Sequence, residues 1–152
     1  MVKDVLISIR GTQKMQGDEP QTIELMTAGT LQRKDGGFLV RYVESEVTGM
    51  EGVDTTFEVQ QGRITLRRAG AVNSTMVFEV GKKNESLYDM GFGALLIGVN
   101  ASRIESDLHD DGGSFAFDYA IEIENEPVGI NQYDIRVRSR AQQEPASGET
   151  VN

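Results

Sequence analysis

The stretch FAFDYAIEI, residues 115–123, alternates almost strictly between large apolar side chains and small or polar ones. Alternation with a period of two is typical of a β-strand that buries one face. The same period recurs at 5–9, 53–60, 63–67 and 134–138, and we find no convincing helical stripe of ten or more residues. The sequence therefore predicts an all-β protein.

Clusters of turn-forming residues separate the alternating segments. They are KDGG (34–37), TGMEG (48–52), QQG (60–62), GKKN (81–84), HDDGG (109–113) and NEPVG (125–129). We predict strands over 2–13, 21–33, 38–47, 53–60, 63–69, 75–80, 85–91, 94–108, 114–124 and 130–138. Consecutive antiparallel strands leave exposed edges unless the sheet closes. We therefore predict a single antiparallel barrel, mostly an up-and-down meander of roughly eight to ten strands; a two-sheet sandwich is the competing architecture.

The chain divides into a barrel domain over residues 1–138 and a polar tail over 139–152. The tail carries no core residues, and we expect it to be disordered.

The glycines of LYDMGFG, residues 87–93, raise the question of a phosphate-binding turn. A dinucleotide fingerprint requires G-x-G-x-x-G at the start of a helix, but the third glycine position is occupied by Leu96. We predict instead that Gly91 and Gly93 form a tight bend between two strands.

Composition excludes several classes of function. The chain has no cysteine, which excludes disulfides, thiolate catalysis and zinc–thiolate sites. Its net charge is −9 and its basic residues form no dense cluster, so we do not expect nucleic-acid binding. We see neither a signal peptide nor a membrane-spanning run, and we expect a cytoplasmic protein. With His109 as the only histidine, we predict no metal site, no cofactor and no catalytic residue.

Several elements occur in the order and spacing of a known family. They are RRAGAV (67–72), Met76, Phe78, Gly81, LYDMGFG (87–93) and ESDL (105–108), with YVESE (42–46) and FDYAIEI (117–123) in addition. In these elements the chain resembles the YwiB-like family of uncharacterised bacterial proteins over residues 3–138. The resemblance implies a lipocalin-like, calycin-type β-barrel and no established activity. The chain has no tryptophan and so lacks the G-x-W motif of true lipocalins.

Arg68 is the most informative single residue, because it shares parity with Ile64 and Leu66 and so points towards the apolar face. A charge in that position must be paired or reach solvent. Glu44 follows Phe38, Val40 and Tyr42 on one face by the same argument, and we predict that it pairs with Arg68. The alternatives are a structural ion pair, an arginine at the barrel mouth with a buried stem, and an anion-binding group for a small ligand.

Aromatic side chains on the inner face are either core or the lining of a cavity. The candidate ligand-binding residues at the barrel interior or mouth are Arg68, Glu44, Tyr42, Tyr88, Tyr119 and Phe117. The phenylalanines available to fill the interior are Phe57, Phe78, Phe92, Phe115 and Phe117. A small barrel is either filled by such side chains or holds one small ligand.

These features leave three functional alternatives open. The first is a binding module that holds a small, partly apolar molecule in the barrel. The second is a filled barrel that binds a protein partner or forms a homodimer through its outer surface. The outward candidates for such a surface are Met26, Val43, Val77 and Leu87. The third, an enzyme, rests on analogy between folds alone.

Overall fold

A computed structural model describes residues 2–140, and ten β-strands account for most of them. The strands are β1 (Val2–Met15), β2 (Gln21–Lys34), β3 (Gly37–Val43), β4 (Asp54–Gln60), β5 (Arg63–Ala69), β6 (Ser74–Glu79), β7 (Lys83–Asp89), β8 (Ala94–His109), β9 (Gly112–Ile123) and β10 (Glu126–Ser139). All ten predicted strands are present, so the all-β prediction is confirmed.

The two largest differences between predicted and observed strand boundaries have identifiable reasons. β3 ends at Val43 rather than 47, because Ser45 caps a 3-10 turn over Glu46–Thr48 and Gly49 ends that turn at a φ of 77°. β10 begins at Glu126 rather than 130, because the preceding hairpin turn needs only Glu124 and Asn125, both at positive φ. Two such residues make the tight turn that matches strand twist.

The strands form one antiparallel sheet in the order β6-β5-β4-β3-β2-β1-β10-β9-β8-β7. The chain is therefore a meander in which β1 and β10 also pair, from Val5–Ser139 to Met15–Gly129. The two strands at the ends of this order, β6 and β7, approach one another and nearly close the barrel. A single continuous sheet excludes the two-sheet sandwich.

The approach of β6 to β7, which we call the seam, is held at separate points. Asn73 and Asp89 exchange two backbone hydrogen bonds of 2.8 and 2.9 Å at one end. Further along, the Asn84 side-chain amide donates to the backbone carbonyl of Val77 at 2.9 Å. A side chain thus supplies a bond that a backbone ladder provides elsewhere in the sheet.

Inward-facing side chains of β3–β6 form three rows across the strands, since directly paired residues point to the same face. The first row is Phe38, Val59, Ile64 and Phe78; the second is Val40, Phe57, Leu66 and Met76; the third is Tyr42, Thr55, Arg68 and Ser74. The first two rows are wholly apolar, whereas the third is polar. The barrel therefore has an apolar body and one polar end.

The apolar body is filled by aromatic rings. Phe57, Phe78, Phe115 and Phe117 are fully buried, and the Phe78 and Phe117 ring centroids are 4.8 Å apart. Phe92 was expected among them, but it lies in the bend between β7 and β8 and is 88% exposed. The bend itself is as predicted, with Gly91 at a φ of 91°.

β10 extends to Ser139, one residue beyond the predicted end of the barrel domain. Residues 141–152 lie outside the described part of the chain, so the disorder of the tail stays a prediction. No helix within residues 2–140 is long and apolar enough to cross a membrane.

Candidate functional site

The polar end of the barrel contains a cavity of about 190 Å³. Its wall combines Tyr42 and Arg68 of the third row with residues from β1, β2 and β10 and with the loop between β3 and β4. The lining residues include Tyr42, Glu44, Arg68, Asn131, Tyr133 and Met50. Ile9, Leu25 and Phe57 give the wall an apolar part. The cavity therefore has a charged part, formed by Glu44 and Arg68, and an apolar part.

The loop between β3 and β4 folds over this end through its 3-10 turn. The Ser45 hydroxyl accepts a hydrogen bond from the Val47 amide, as an N-cap side chain does. The turn brings Thr48 and Met50 to the cavity wall. The Tyr88 hydroxyl donates to the Met50 sulfur at 3.7 Å, which ties the loop to β7.

Glu44 is buried beneath this loop and its carboxylate is bonded on both oxygens. Thr48 Oγ1 donates to Oε1 at 2.9 Å, and Thr55 Oγ1 donates to Oε2 at 2.7 Å. Hydroxyl donors of this kind offset part of the cost of burying a carboxylate. The negative charge is thus held by two threonines rather than by a cation.

Arg68 reaches the same cavity but does not form the predicted ion pair. Among residues 2–140, no carboxylate oxygen lies within 4.0 Å of its guanidinium nitrogens, and its buried Nε has no hydrogen-bond partner. The prediction of an Arg68–Glu44 pair is therefore wrong in detail, although the two side chains share one cavity. The Glu44 carboxylate takes its hydrogen bonds from Thr48 and Thr55 instead.

Asn131 presents a second buried atom without a partner. Its Nδ2 donates to the Tyr119 hydroxyl at 2.9 Å, whereas its Oδ1 has no partner among the described residues. Three buried side-chain atoms are unpartnered in this part of the chain, and two of them, Arg68 Nε and Asn131 Oδ1, belong to residues that line the same cavity. Such atoms are uncommon in folded proteins, and each calls for an explanation.

The environment of Tyr42 and Tyr119 favours the neutral phenol. Burial raises the pKa of Tyr42 well above its ordinary value, and the Glu44 carboxylate raises it further while Arg68 opposes the shift. Burial likewise raises the pKa of Tyr119. Their hydroxyls therefore keep their protons at physiological pH and act as hydrogen-bond donors or acceptors.

The six predicted ligand-binding residues fall into three positions. Tyr42, Glu44 and Arg68 line the cavity. Tyr88 and Tyr119 lie one hydrogen bond behind it, through Met50 and Asn131. Phe117 is in the barrel interior, 0% exposed and stacked on Tyr133 with ring centroids 5.3 Å apart, and it does not line the cavity.

Sequence reasoning missed Asn131 and Tyr133, which share inward parity with Ile135 and Val137 on β10. The parity argument used for Arg68 would have found both. Tyr133 has room because its partner on β1 is Gly11, where an added Cβ would lie 3.2 Å from the Tyr133 ring.

Fold and site together define a ten-stranded antiparallel barrel, filled along its body, with a small polar cavity at one end. The model of a domain of unknown function, DUF1934, matches residues 7–135, and the chain belongs to this family. The crystal structure of the YwiB protein from Bacillus subtilis is similar, with a TM-score of 0.82 over 91% of this chain and 92% of that chain. Sequence identity is 21%, so this match shows the shared fold. The YwiB-like resemblance is confirmed; no curated protein matches the chain.

Proposed function

We propose that this protein is a binding module that holds a small, partly apolar molecule in the cavity at the polar end of its barrel. The observation that carries the proposal is the pair of unpartnered atoms, Arg68 Nε and Asn131 Oδ1, on residues that line one cavity. A buried polar atom without a partner costs about 1–3 kcal/mol. Both atoms are buried in the empty barrel, so a ligand reaches them only when the two side chains turn towards the cavity. A ligand that then supplies both partners would offset that cost.

The cavity is small for this role but suitably built. Ordinary ligand pockets span roughly 300–1,000 Å³, whereas this one is about 190 Å³. It combines an apolar surface with a few convergent polar groups, as binding sites do. The proposal is therefore limited to a compact ligand, and it includes no catalytic step.

Native mass spectrometry tests the proposal directly. We expect protein purified without denaturation to retain a small molecule, or to gain one from a fragment library, as a mass that denaturation removes. The Arg68→Met variant should lose that mass, whereas Arg67→Met should keep it. Arg67 is a matched control, since it is adjacent in β5 but pairs with Glu58 on the outer face at 2.9 Å. A wild-type protein that binds nothing in either experiment contradicts the proposal.

Stability of the Arg68→Met variant distinguishes a ligand-binding arginine from a structural one. We expect its free energy of unfolding in urea to rise by about 1 kcal/mol, because methionine buries a similar stem without an unpartnered Nε. Removing one partner of a buried structural ion pair would instead cost about 3–5 kcal/mol. Arg67→Met should change stability by less than about 0.5 kcal/mol. A large loss for Arg68→Met alone would favour the structural role.

A second candidate is a protein-interaction or homo-oligomerising module that acts through its outer surface. It is favoured by the exposure of Met26, Val43 and Leu87, each more than half exposed, whereas Val77 is only partly so. The filled body of the barrel is compatible with it. Light scattering after gel filtration distinguishes this candidate. It requires a dimer or a complex with a partner protein, and the Arg68→Met variant should form that dimer or complex as the wild type does.

A further inference from the structure

The two unpartnered atoms differ in hydrogen-bonding character, and this difference bears on the ligand. The inference rests on the proposed function and concerns the chemical class of the bound molecule. Arg68 Nε is a donor that carries a permanent positive charge, whereas Asn131 Oδ1 can only accept. A ligand that satisfies both must present an acceptor to Arg68 and a donor to Asn131.

The charge of Arg68 is not compensated at contact distance. No carboxylate oxygen of residues 2–140 lies within 4.0 Å of it. The Glu44 carboxylate, in the same cavity, is engaged by Thr48 and Thr55. Hydrogen bonds between a guanidinium and a carboxylate are about twice as strong as neutral ones. The acceptor that Arg68 binds best is therefore an anion.

The positions of the two residues set the shape of the ligand. Arg68 is on β5 and Asn131 is on β10, five places apart in the ten-strand order and hence on opposite sides of the barrel. A volume of about 190 Å³ corresponds to roughly six water molecules at ~30 Å³ each. Ile9, Leu25 and Phe57 supply an apolar surface between the two polar groups.

We propose that the ligand is a small carboxylate with a compact apolar body and a hydrogen-bond donor at its far end. The carboxylate contacts the guanidinium of Arg68, and the donor contacts Asn131 Oδ1. Asn131 Oδ1 is buried in the empty barrel, so the Asn131 side chain must turn towards the ligand as it binds, away from its 2.9 Å hydrogen bond to the Tyr119 hydroxyl.

Benzoate and benzamide are a matched pair of probes, because they share one shape and differ in charge. Titration followed by the backbone amide resonances of Glu44, Asn131 and Tyr133 in proton–nitrogen NMR spectra measures binding in every variant. The Nε–Hε resonance of Arg68 reports binding at the guanidinium itself wherever that arginine is present. We expect benzoate to bind roughly 10- to 100-fold more tightly than benzamide, because one charge-assisted hydrogen bond strengthens binding by about that factor. The 4-hydroxy derivative of benzoate, which adds a donor opposite the carboxylate, should bind more tightly still.

Variants assign each end of the ligand. Arg68→Met should abolish the preference for benzoate over benzamide, and Arg68→Lys, which keeps the charge but not Nε, should restore only part of it. Asn131→Leu should abolish the gain from the 4-hydroxy group while leaving the preference for benzoate unchanged. Arg67→Met should alter neither. Backbone amide spectra verify that each variant is folded.

The outcomes separate this inference from the function on which it rests. Equal binding of benzoate and benzamide, no binding of either, or a benzoate preference that survives Arg68→Met would each overturn the carboxylate assignment. If the carboxylate assignment fails, the ligand-binding function is still supported when the native mass spectrum of the wild type shows a bound neutral molecule and that of Arg68→Met does not. Absence of any bound molecule in both experiments would overturn both.

Discussion

Replacing Phe117 by alanine should lower the free energy of unfolding by about 3–5 kcal/mol, the cost of removing a large buried aromatic side chain. The Phe117 side chain is fully buried and touches several rings at once. Its centroid is 4.8 Å from that of Phe78, 6.2 Å from Phe57 and 5.3 Å from Tyr133. The barrel wall cannot collapse into the resulting void without breaking backbone pairing, so we expect the upper part of the range.

Urea denaturation followed by tyrosine fluorescence measures this loss. Phe92→Ala is the matched control, because it removes the same atoms from a side chain that is 88% exposed, and it should change stability by less than about 0.5 kcal/mol. A loss below about 1.5 kcal/mol for Phe117→Ala, within the range of conservative core changes, would mean that the body of the barrel is loosely packed.

Replacing Gly113 by alanine should lower the free energy of unfolding by an amount comparable to that expected for Phe117→Ala. Gly113 has a φ of 131°, which L side chains rarely adopt, and an added Cβ would lie 2.0 Å from the backbone oxygen of Asp107. The clash is with backbone on the neighbouring β8, which cannot move without disturbing the sheet. Strain at such a φ costs about 1–3 kcal/mol, and the clash adds to it. We therefore expect a loss of more than about 3 kcal/mol.

Gly93→Ala provides the comparison for Gly113→Ala in thermal and urea denaturation. Gly93 lies in the bend between β7 and β8, its φ is outside the restricted range, and an added Cβ would meet nothing within 4 Å. Alanine there should be neutral or stabilising by up to about 1 kcal/mol, since it reduces the freedom of the unfolded chain. Equal behaviour of the two variants would contradict the close approach of β8 and β9 at Gly113.

The sheet could be predicted from the sequence because a period of two survives on nearly every strand. The parity of Ile64 and Leu66 was enough to place Arg68 on the inner face, where the structure has it. The start of β10 was mispredicted because the preceding turn needs fewer residues than its composition suggests. NEPVG was read as a turn, but Pro127 and Gly129 lie in β10 at a register shift, where proline is tolerated.

The partner of Glu44 could not be predicted in the same way. Parity gives the face of a side chain, but it says nothing about a loop that folds back over the barrel end. Thr48 reaches Glu44 only because the 3-10 turn after Ser45 directs it there. That arrangement depends on three-dimensional packing of the loop, so the sequence pointed to the simplest available cation, Arg68, instead.

The pairing of β1 with β10 has a consequence for how the chain is made. The strands β1 to β5 each pair with the next strand in the chain, so each of these pairs can form as soon as the next strand has left the ribosome. The free side of β1 stays uncovered until the residues of β10, more than a hundred positions later, have been synthesised. We therefore expect folding to be completed slowly. Until then the unpaired edge of β1 makes the nascent chain prone to aggregation, and chaperones should improve its yield.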